Sequence, residues 1–525
     1  MALPAPMSVT DAMRLLEQAT FGPTPSEVTR VAALGFDAYI AEQTARPATG
    51  YVGFRYVPHL ASPECLINAA APLRAGSICA RDNYTLFQLQ RQFFENALTG
   101  PDQLRQRVAF ALSQIFVVSG EKIPEAYGMA AFQNLLLNDA FGNFRQLLED
   151  VTLSPVMGWY LDMANNAKAD PAHGTSPNQN YAREVLQLFS IGENKLNPDG
   201  SLALDANDQP QVTYDQNVIQ GFSSILTGWT FAPLPGAQSV WTNPINFQGT
   251  MVSHTQQHEP GAKLLLDGAV APAGQTPAAD LKLALDAVFN HPNVGPFIGK
   301  QLIQHLITSN PSPAYVARVA SVFADNGRGV RGDLAAVVKA ILGDAEARGD
   351  SPSQPDSGHL REPALFITAV LRALGGRSDG AFLCSQVAAM GQPLFTSPTV
   401  FNFYPPSYEL PGTHTLAPEF FIQNAATGLA RSNFLNQLVL RGGAAPDPTV
   451  KGSIGTTVDL SSFVGTPTDT LVNQLSGRLM HGSLSTAAHD IIVPAIDIIP
   501  ASDAQERVKT AAYLITSSQQ FQVER

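Results

Sequence analysis

Apolar residues recur every three to four positions along most of this chain, the period of an amphipathic helix. Between Thr213 and Trp229 the stripe of Val218, Ile219, Phe222, Ile225, Leu226 and Trp229 is continuous, and Thr213 with Gln216 matches a capping box. Over 81–98, Leu86, Leu89, Phe93, Phe94 and Leu98 mark one face. Over 180–192, Tyr181, Val185 and Phe189 do the same, with Gly192 placed to stop the helix. The spacing predicts further helices over 279–289, 294–308, 313–325, 332–342, 359–374, 418–440, 468–480 and 502–517. The last opens on Ser502 and Gln505, a second capping box.

Alternating β-branched runs are scarce. The exception is 196–214, where Pro198-Asp199-Gly200 and Asn207-Asp208 signal turns and predict a small hairpin between helices. Four stretches read as irregular: 51–80, 165–179, 230–278 and 391–417. A loop as long as 230–278 is unusual inside a domain, so it is either functional or hides short strands. The segment 442–467, rich in Gly, Pro and Thr, reads as a linker, and no repeat is evident. The expected fold class is therefore mainly α: one large α-helical domain over 1–441, with a small β-hairpin insertion and long irregular loops. A helical subdomain over 468–525 is expected to pack on it.

Composition narrows the function. The chain has 525 residues, 45% of them hydrophobic, enough to bury a large core. Only 14% are charged, and 44 acidic against 32 basic residues leave a net charge of −12. Binding to nucleic acid or to an anionic membrane needs clustered Lys and Arg, and the chain has no such cluster. No apolar run approaches the roughly 18 residues that span a bilayer; the longest, 108–118, contains Ser113 and Gln114 and reads as a buried helix.

Three cysteines are present. Cys65 and Cys79 flank a short loop and read as a disulfide closing 15 residues, worth about 3 kcal/mol in the chain-entropy model; two unrelated buried thiols are the other reading. Neither belongs to a C-x-x-C pair, which argues against zinc. Few charges, 9 Lys among 32 basic residues and a disulfide favour an exported protein, periplasmic or secreted. The opening Met1-Ala2-Leu3-Pro4-Ala5-Pro6 fits a mature chain given a start Met after signal removal, with a plain cytosolic start as the alternative.

A set of motifs then recurs in a fixed order. They are 15–24 (LLEQATFGPT), 103–108 (QLRQRV), 142–145 (GNFR) and 160–162 (YLD) before an Asn-rich loop. Next comes Asn180-Tyr181-Ala182-Arg183-Glu184 with Leu188, Phe189 and Gly192, then 227–230 (TGWT), 258–261 (HEPG), 361–363 (REP) and 391–394 (GQPL). In these the chain resembles a large bacterial family known as domain of unknown function 1800, over about residues 10–440 and into the tail. The resemblance implies an exported bacterial protein, often encoded beside an exported sulfatase-like protein that is a possible partner. It implies no reaction and no cofactor. One departure is Glu259, where family members often carry Asp.

The polar motif residues are the candidate chemistry. Asn180 and Glu184 lie one turn apart and can point at one place. With Arg183 they form either a general base with a substrate clamp or a helix cap with a structural ion pair. His254 and His258 are four apart; on a helix they would suit a metal, but their neighbours suggest a loop. His258 and Glu259 then read as an acid–base pair or as loop structure. Arg361 and Glu362 precede Pro363 at a helix start, where the macrodipole favours Glu on its own. Trp229 and Gln392 complete the substrate-binding candidates, although Trp229 also fits the core. Asn194, Asn197, Asp199, Asp205, Asn207 and Asp208 are oxygen-rich but lack EF-hand spacing and read as turns. The G-x-G-x-x-G match at 327–332 follows a helix rather than a strand, and G-x-S-x-G and P-loop motifs are absent.

Two functions remain open. One is a hydrolase of an extracellular polymer, polysaccharide-like, acting through Glu184, His258, Glu259 and Glu362. The other is a non-catalytic exported scaffold or partner. Convergence of Glu184, His258 and Glu362 on one cleft would favour the first; separate buried pairings would favour the second. Glu184 or Glu362 is expected to pair with an Arg from another segment, because adjacent residues on one helix point apart.

Overall fold

Many helices begin where the sequence supplies a short polar side chain to cap them. Ser8, Thr24, Asn143, Thr276, Ser312, Asp333 and Ser485 each accept a hydrogen bond from a backbone N–H two or three residues on. Thr24, Thr276 and Ser312 are followed at once by proline, whose missing N–H costs nothing in a first turn. The computed structural model describes residues 6–57, 78–350 and 357–525. Among these, helices dominate, and the named strands form four antiparallel two-strand pairs.

Two helices are buried on every side and occupy the centre. Every residue of Pro363–Ala373 is buried, and in Gln103–Ile115 only Arg105 and Ser113 reach the surface. The first is almost wholly apolar, as a helix inside a large core can be; the second also buries Gln103, Gln106, Arg107 and Gln114, each hydrogen-bonded there. The amphipathic helices pack around these two, and one continuous hydrophobic cluster runs from Ala12 to Phe521. The final helices, Thr468–Met480, Thr486–Asp497 and Ala504–Ser517, share that cluster. The chain end is also fastened, since Val523–Glu524 pairs with His359–Leu360. No helix among the described residues is long and apolar enough to cross a membrane.

Several boundaries differ from the sequence reading for physical reasons. The Thr213 stripe ends at Ile225, because Gly228 turns the chain at φ 83° and Trp229–Thr230 pairs with Val252–Ser253. The cap of that helix is Asp215, not Thr213, whose hydroxyl donates to the Gly192 carbonyl. Asp503 rather than Ser502 precedes the helix Ala504–Ser517. The expected 359–374 helix is a strand followed by Pro363–Ala373. Residues 196–214 form successive antiparallel bridges, Asn194 to Val212, Leu196 to Leu202 and Leu204 to Pro210. The 230–278 loop hides Val252–Ser253, Lys263–Leu264 and Val270–Ala271. Residues 442–467 carry Thr456–Thr457 against Arg377–Ser378, while the Asp379 carboxylate accepts from Ser453, Ile454 and Gly455. Composition does not separate such a fastened, turn-rich segment from a linker.

One glycine is demanded by close approach. Gly221, on the helix Gln216–Ile225, lies under the Lys263–Leu264 strand, and a Cβ there would stand 1.9 Å from the Leu264 carbonyl oxygen. Of the cysteines, Cys384 is buried and donates to the Gly380 carbonyl, and burial pushes its thiol up to about 12. Cys65 lies outside the described residues, and the expected bridge to Cys79 with it.

Candidate functional site

The motif residues fold into separate assemblies. The first is a buried hub of charge in a chain otherwise poor in charge. Glu17, Arg107, His359, Arg361, Glu362, Glu419, Arg431 and Glu524 are all buried. Arg361 lies 3.0 Å from Glu17 and 3.6 Å from Glu524; His359 lies 3.6 Å from Glu524 and 3.4 Å from Glu419. Arg431 donates to the Arg361 carbonyl, and Arg107 to that of His305. Burial alone would depress the His359 imidazole, but the carboxylates of Glu419 and Glu524 outweigh it and raise it to about 9. With His359 protonated, four carboxylates face four cations, the balance a buried network needs because an uncompensated buried charge costs several kcal/mol.

Glu362 is satisfied within this hub by neutral donors. Gln114 Nε2 donates to one carboxylate oxygen at 3.2 Å, and Tyr404 Oη to the other at 2.7 Å, alongside the Gln392 amide. Gln392 also accepts from the Ala364 N–H, fixing the start of the central helix. Glu362 and Gln392 are therefore enclosed with their polar atoms engaged, while Arg361, its Nε without a hydrogen-bond partner, lines a cavity with Glu17 and His481.

His258 belongs to a second enclosed group. Its Nε2 lies 2.8 Å from Asp280 Oδ2, its Nδ1 faces the Thr227 carbonyl and hydroxyl, and Lys263 Nζ lies 2.6 Å from the same Asp280 oxygen. All three side chains are within 1% of full burial. This group clasps the long 230–278 loop to the start of Pro277–Asn290. His254 instead meets Ser239 and the Trp241 ring, so the two histidines share no ligand position. Among the described residues no three His, Cys, Asp or Glu side chains gather as a metal site would require. Glu259 is half-buried and accepts from the Ala169 and Gly261 N–H groups at 3.4 Å, tying its loop to 165–179. Trp229 is buried, and its indole N–H has no partner. It offers no ring face to a ligand.

The third assembly is open to solvent. On the helix Asn180–Gln187, Tyr181, Ala182, Val185 and Leu186 are buried, which turns Asn180 and Arg183 outward. Asn180 Nδ2 donates to Asp162 Oδ2 at 2.7 Å, and Lys122 Nζ meets Asp162 Oδ1 at 2.6 Å. Asp162 and Asn165 both hold φ near +60°, a conformation Asp and Asn tolerate but which still costs about 1 kcal/mol or more. The strained loop is anchored by Thr230 Oγ1 to Asn165, Asn165 N–H to the Trp229 carbonyl, and Gly228 N–H to the Asn166 carbonyl. One turn along from Asn180 stands Glu184, half-buried beside Tyr160 and Tyr214. Its Oε2 is buried and unpartnered. Burial raises its carboxyl above the usual range; Arg183 opposes the rise and Glu193 adds to it. Arg183 itself bonds Gln179 and Gln216.

The structure thus does not join Glu184, His258 and Glu362: no polar side chain bonds two of them. Neither Glu184 nor Glu362 takes an Arg within ion-pair distance; the cross-segment pairing falls to Arg361, with Glu17 and Glu524. Sequence reading passed over Asp162 and Lys122, although Asp162 stood in a quoted motif. Their signal is spatial, since Asn180 meets Asp162 across eighteen residues. Asp280 and Lys263, which complete the His258 group, carried no motif at all.

No curated protein and no solved structure matches the chain. A family model described as protein of unknown function, DUF1800, matches residues 14–523, nearly the whole length, and the chain belongs to that family.

Proposed function

We propose that this is an exported hydrolase of a polysaccharide-like extracellular polymer, with Glu184 as its general acid. The observation that carries the reading is the half-buried, unpartnered Glu184 carboxyl one turn from Asn180, which binds Asp162. Burial raises this carboxyl, the direction that favours the protonated form a general acid uses. Asp162, ion-paired to Lys122, is the second carboxylate, suited to activate water. Half-buried Trp159, Tyr160 and Tyr214 supply ring faces next to these groups, as sugar binding uses. The Cys65–Cys79 bridge and export belong to the same reading.

The test is a reducing-end assay on bacterial exopolysaccharides and peptidoglycan glycan strands. Glu184→Gln should keep its circular dichroism spectrum and lose about 10²–10⁴-fold in rate, the usual worth of general acid–base catalysis. Activity should fall as pH rises through the Glu184 value, since the acid form is the working one. Equal rates in Glu184→Gln and the parent chain would dismiss the assignment.

The enclosure of His258, Arg361 and Glu362 favours a second reading, a non-catalytic scaffold for a sulfatase-like partner. In that reading Glu184→Gln changes neither turnover nor partner capture.

A further inference from the structure

A cavity opens where the helix carrying Glu184 ends. Leu188, Phe297 and the exposed Phe401 give it apolar walls, and Gln301, His305 and Asn402 add polar ones. Its volume of ≈ 50 Å³ is room for about three to five waters. Asn402, in a left-handed conformation at φ 66°, donates to Gln114 Oε1 at 2.8 Å and so joins the cavity wall to the Glu362 hub. Gln114, Gln304, Tyr404 and Glu419 on the same wall are engaged, while Gln301 and His305 are uncommitted. Gln301 is 9% exposed, and its Nε2 is buried without a partner. The His305 ring enters no hydrogen bond or ion pair among the described residues, although its backbone carbonyl takes Arg107. Burial pushes this imidazole down to about 3, and the nearby positive charges of Arg107 and His359 act the same way. It therefore stands neutral, one nitrogen donating and one accepting.

A buried amide left unpaired weighs against the fold until a partner arrives. The partner must accept from Gln301, complement a neutral imidazole and set apolar surface against Phe297, Leu188 and Phe401. Glu419, the carboxylate on the cavity wall, is engaged by Ser309 and His359 and so is not free to draw a cation. A secondary amide with a methyl group meets all three demands. We propose that this cavity is a binding subsite for a small uncharged amide, an acetamido substituent of a larger ligand being the group of matching size. The assignment stands apart from the catalytic reading of Glu184.

Saturation-transfer NMR on the full chain tests it, with N-acetylglucosamine as the probe and glucose and glucosamine as controls. N-acetylglucosamine should bind in the millimolar range with its methyl protons most strongly saturated, glucose more weakly, and cationic glucosamine least. Gln301→Leu should weaken binding about tenfold, the loss of one buried hydrogen bond. Phe401→Ala, at an exposed position where folding is not at stake, should weaken it too, and Glu184→Gln should leave it unchanged. Binding of glucose as tight as N-acetylglucosamine overturns the amide assignment. Absence of binding by all three, or binding indifferent to both cavity variants, shows a cavity that holds only water and overturns the subsite.

Discussion

The buried hub makes the fold dependent on one proton. His359 stands between Glu419 and Glu524, is 4% exposed, and has its imidazole raised to about 9. A folded value near 9 against 6.5 in the unfolded chain corresponds to about 3 kcal/mol of stability. Burial is nearly complete, so solvent screening does not dilute this coupling. The folded state binds the proton more tightly, so the contribution is fully present below about pH 6.5 and disappears as pH rises through about 9. The perturbation is His359→Gln, which removes the titration and keeps a polar side chain of similar length. Guanidinium unfolding followed by tryptophan fluorescence, at steps between about pH 6 and about pH 9.5, measures both proteins. The gap in stability between parent and variant should narrow by about 3 kcal/mol across that window, a slope of about 1 kcal/mol per pH unit at its steepest. Taking the difference cancels the groups that do not face His359 and leaves His359 with its partners Glu419 and Glu524. Parallel curves would refute the reasoning, because they would mean His359 carries no extra proton in the folded chain and the hub is not charge-balanced.

Two further perturbations probe the long loop. Asp280→Asn should destabilise by about 3–5 kcal/mol, because it strands the buried Lys263 ammonium; urea unfolding measures it, and pairing Asp280→Leu with Lys263→Met should recover much of the loss. Gly221→Ala would gain about 1 kcal/mol from helix propensity alone, yet the 1.9 Å approach to Leu264 should make it destabilising and expose 252–276 to proteolysis, which limited trypsin and thermolysin digestion would reveal.

The helices were legible because their apolar stripes repeat locally. Thr468–Met480 is read to the residue, and Val294–Leu306 and Pro313–Ala324 to within two. Pro494 hid Thr486–Asp497, since proline inside a pattern signals a stop rather than a helix that tolerates it. The short strands were illegible for a different reason. Each is two residues long, and its pairing lies far away, as with His359–Leu360 and Val523–Glu524. No window of sequence contains both halves. The site followed the same rule. Asn180, Arg183 and Glu184 announce themselves because their helix leaves them outside its apolar face. Asp162 and Lys122 do not, because their meaning comes from a loop that folds back onto Asn180.

The motifs that carry the family resemblance also divide by environment, and the division says which of them to test for chemistry. Glu17, Arg107, Arg361, Glu362 and Gln392 stand in five motif positions that come together in the hub. Glu17, Arg361, Glu362 and Gln392 are held by their neighbours there: remove one, and a buried opposite charge or an unsatisfied amide remains; Arg107 bonds the His305 carbonyl and keeps Nε and Nη1 unpartnered. His258 is explained in the same way by Asp280 and Lys263. A polar residue whose loss would unbalance the interior needs no substrate to account for it. Glu184 is different. Its Oε2 is buried with neither a hydrogen bond nor an ion pair, whereas the hub oxygens that lack a hydrogen bond, Glu17 Oε2 and Glu524 Oε1, each face a histidine, and so Glu184 costs stability where it stands. Nothing in the packing requires a carboxylate at that point, since Gln or Met would fill the same space on the same helix. The residue that folding does not need is the one whose substitution separates function from stability.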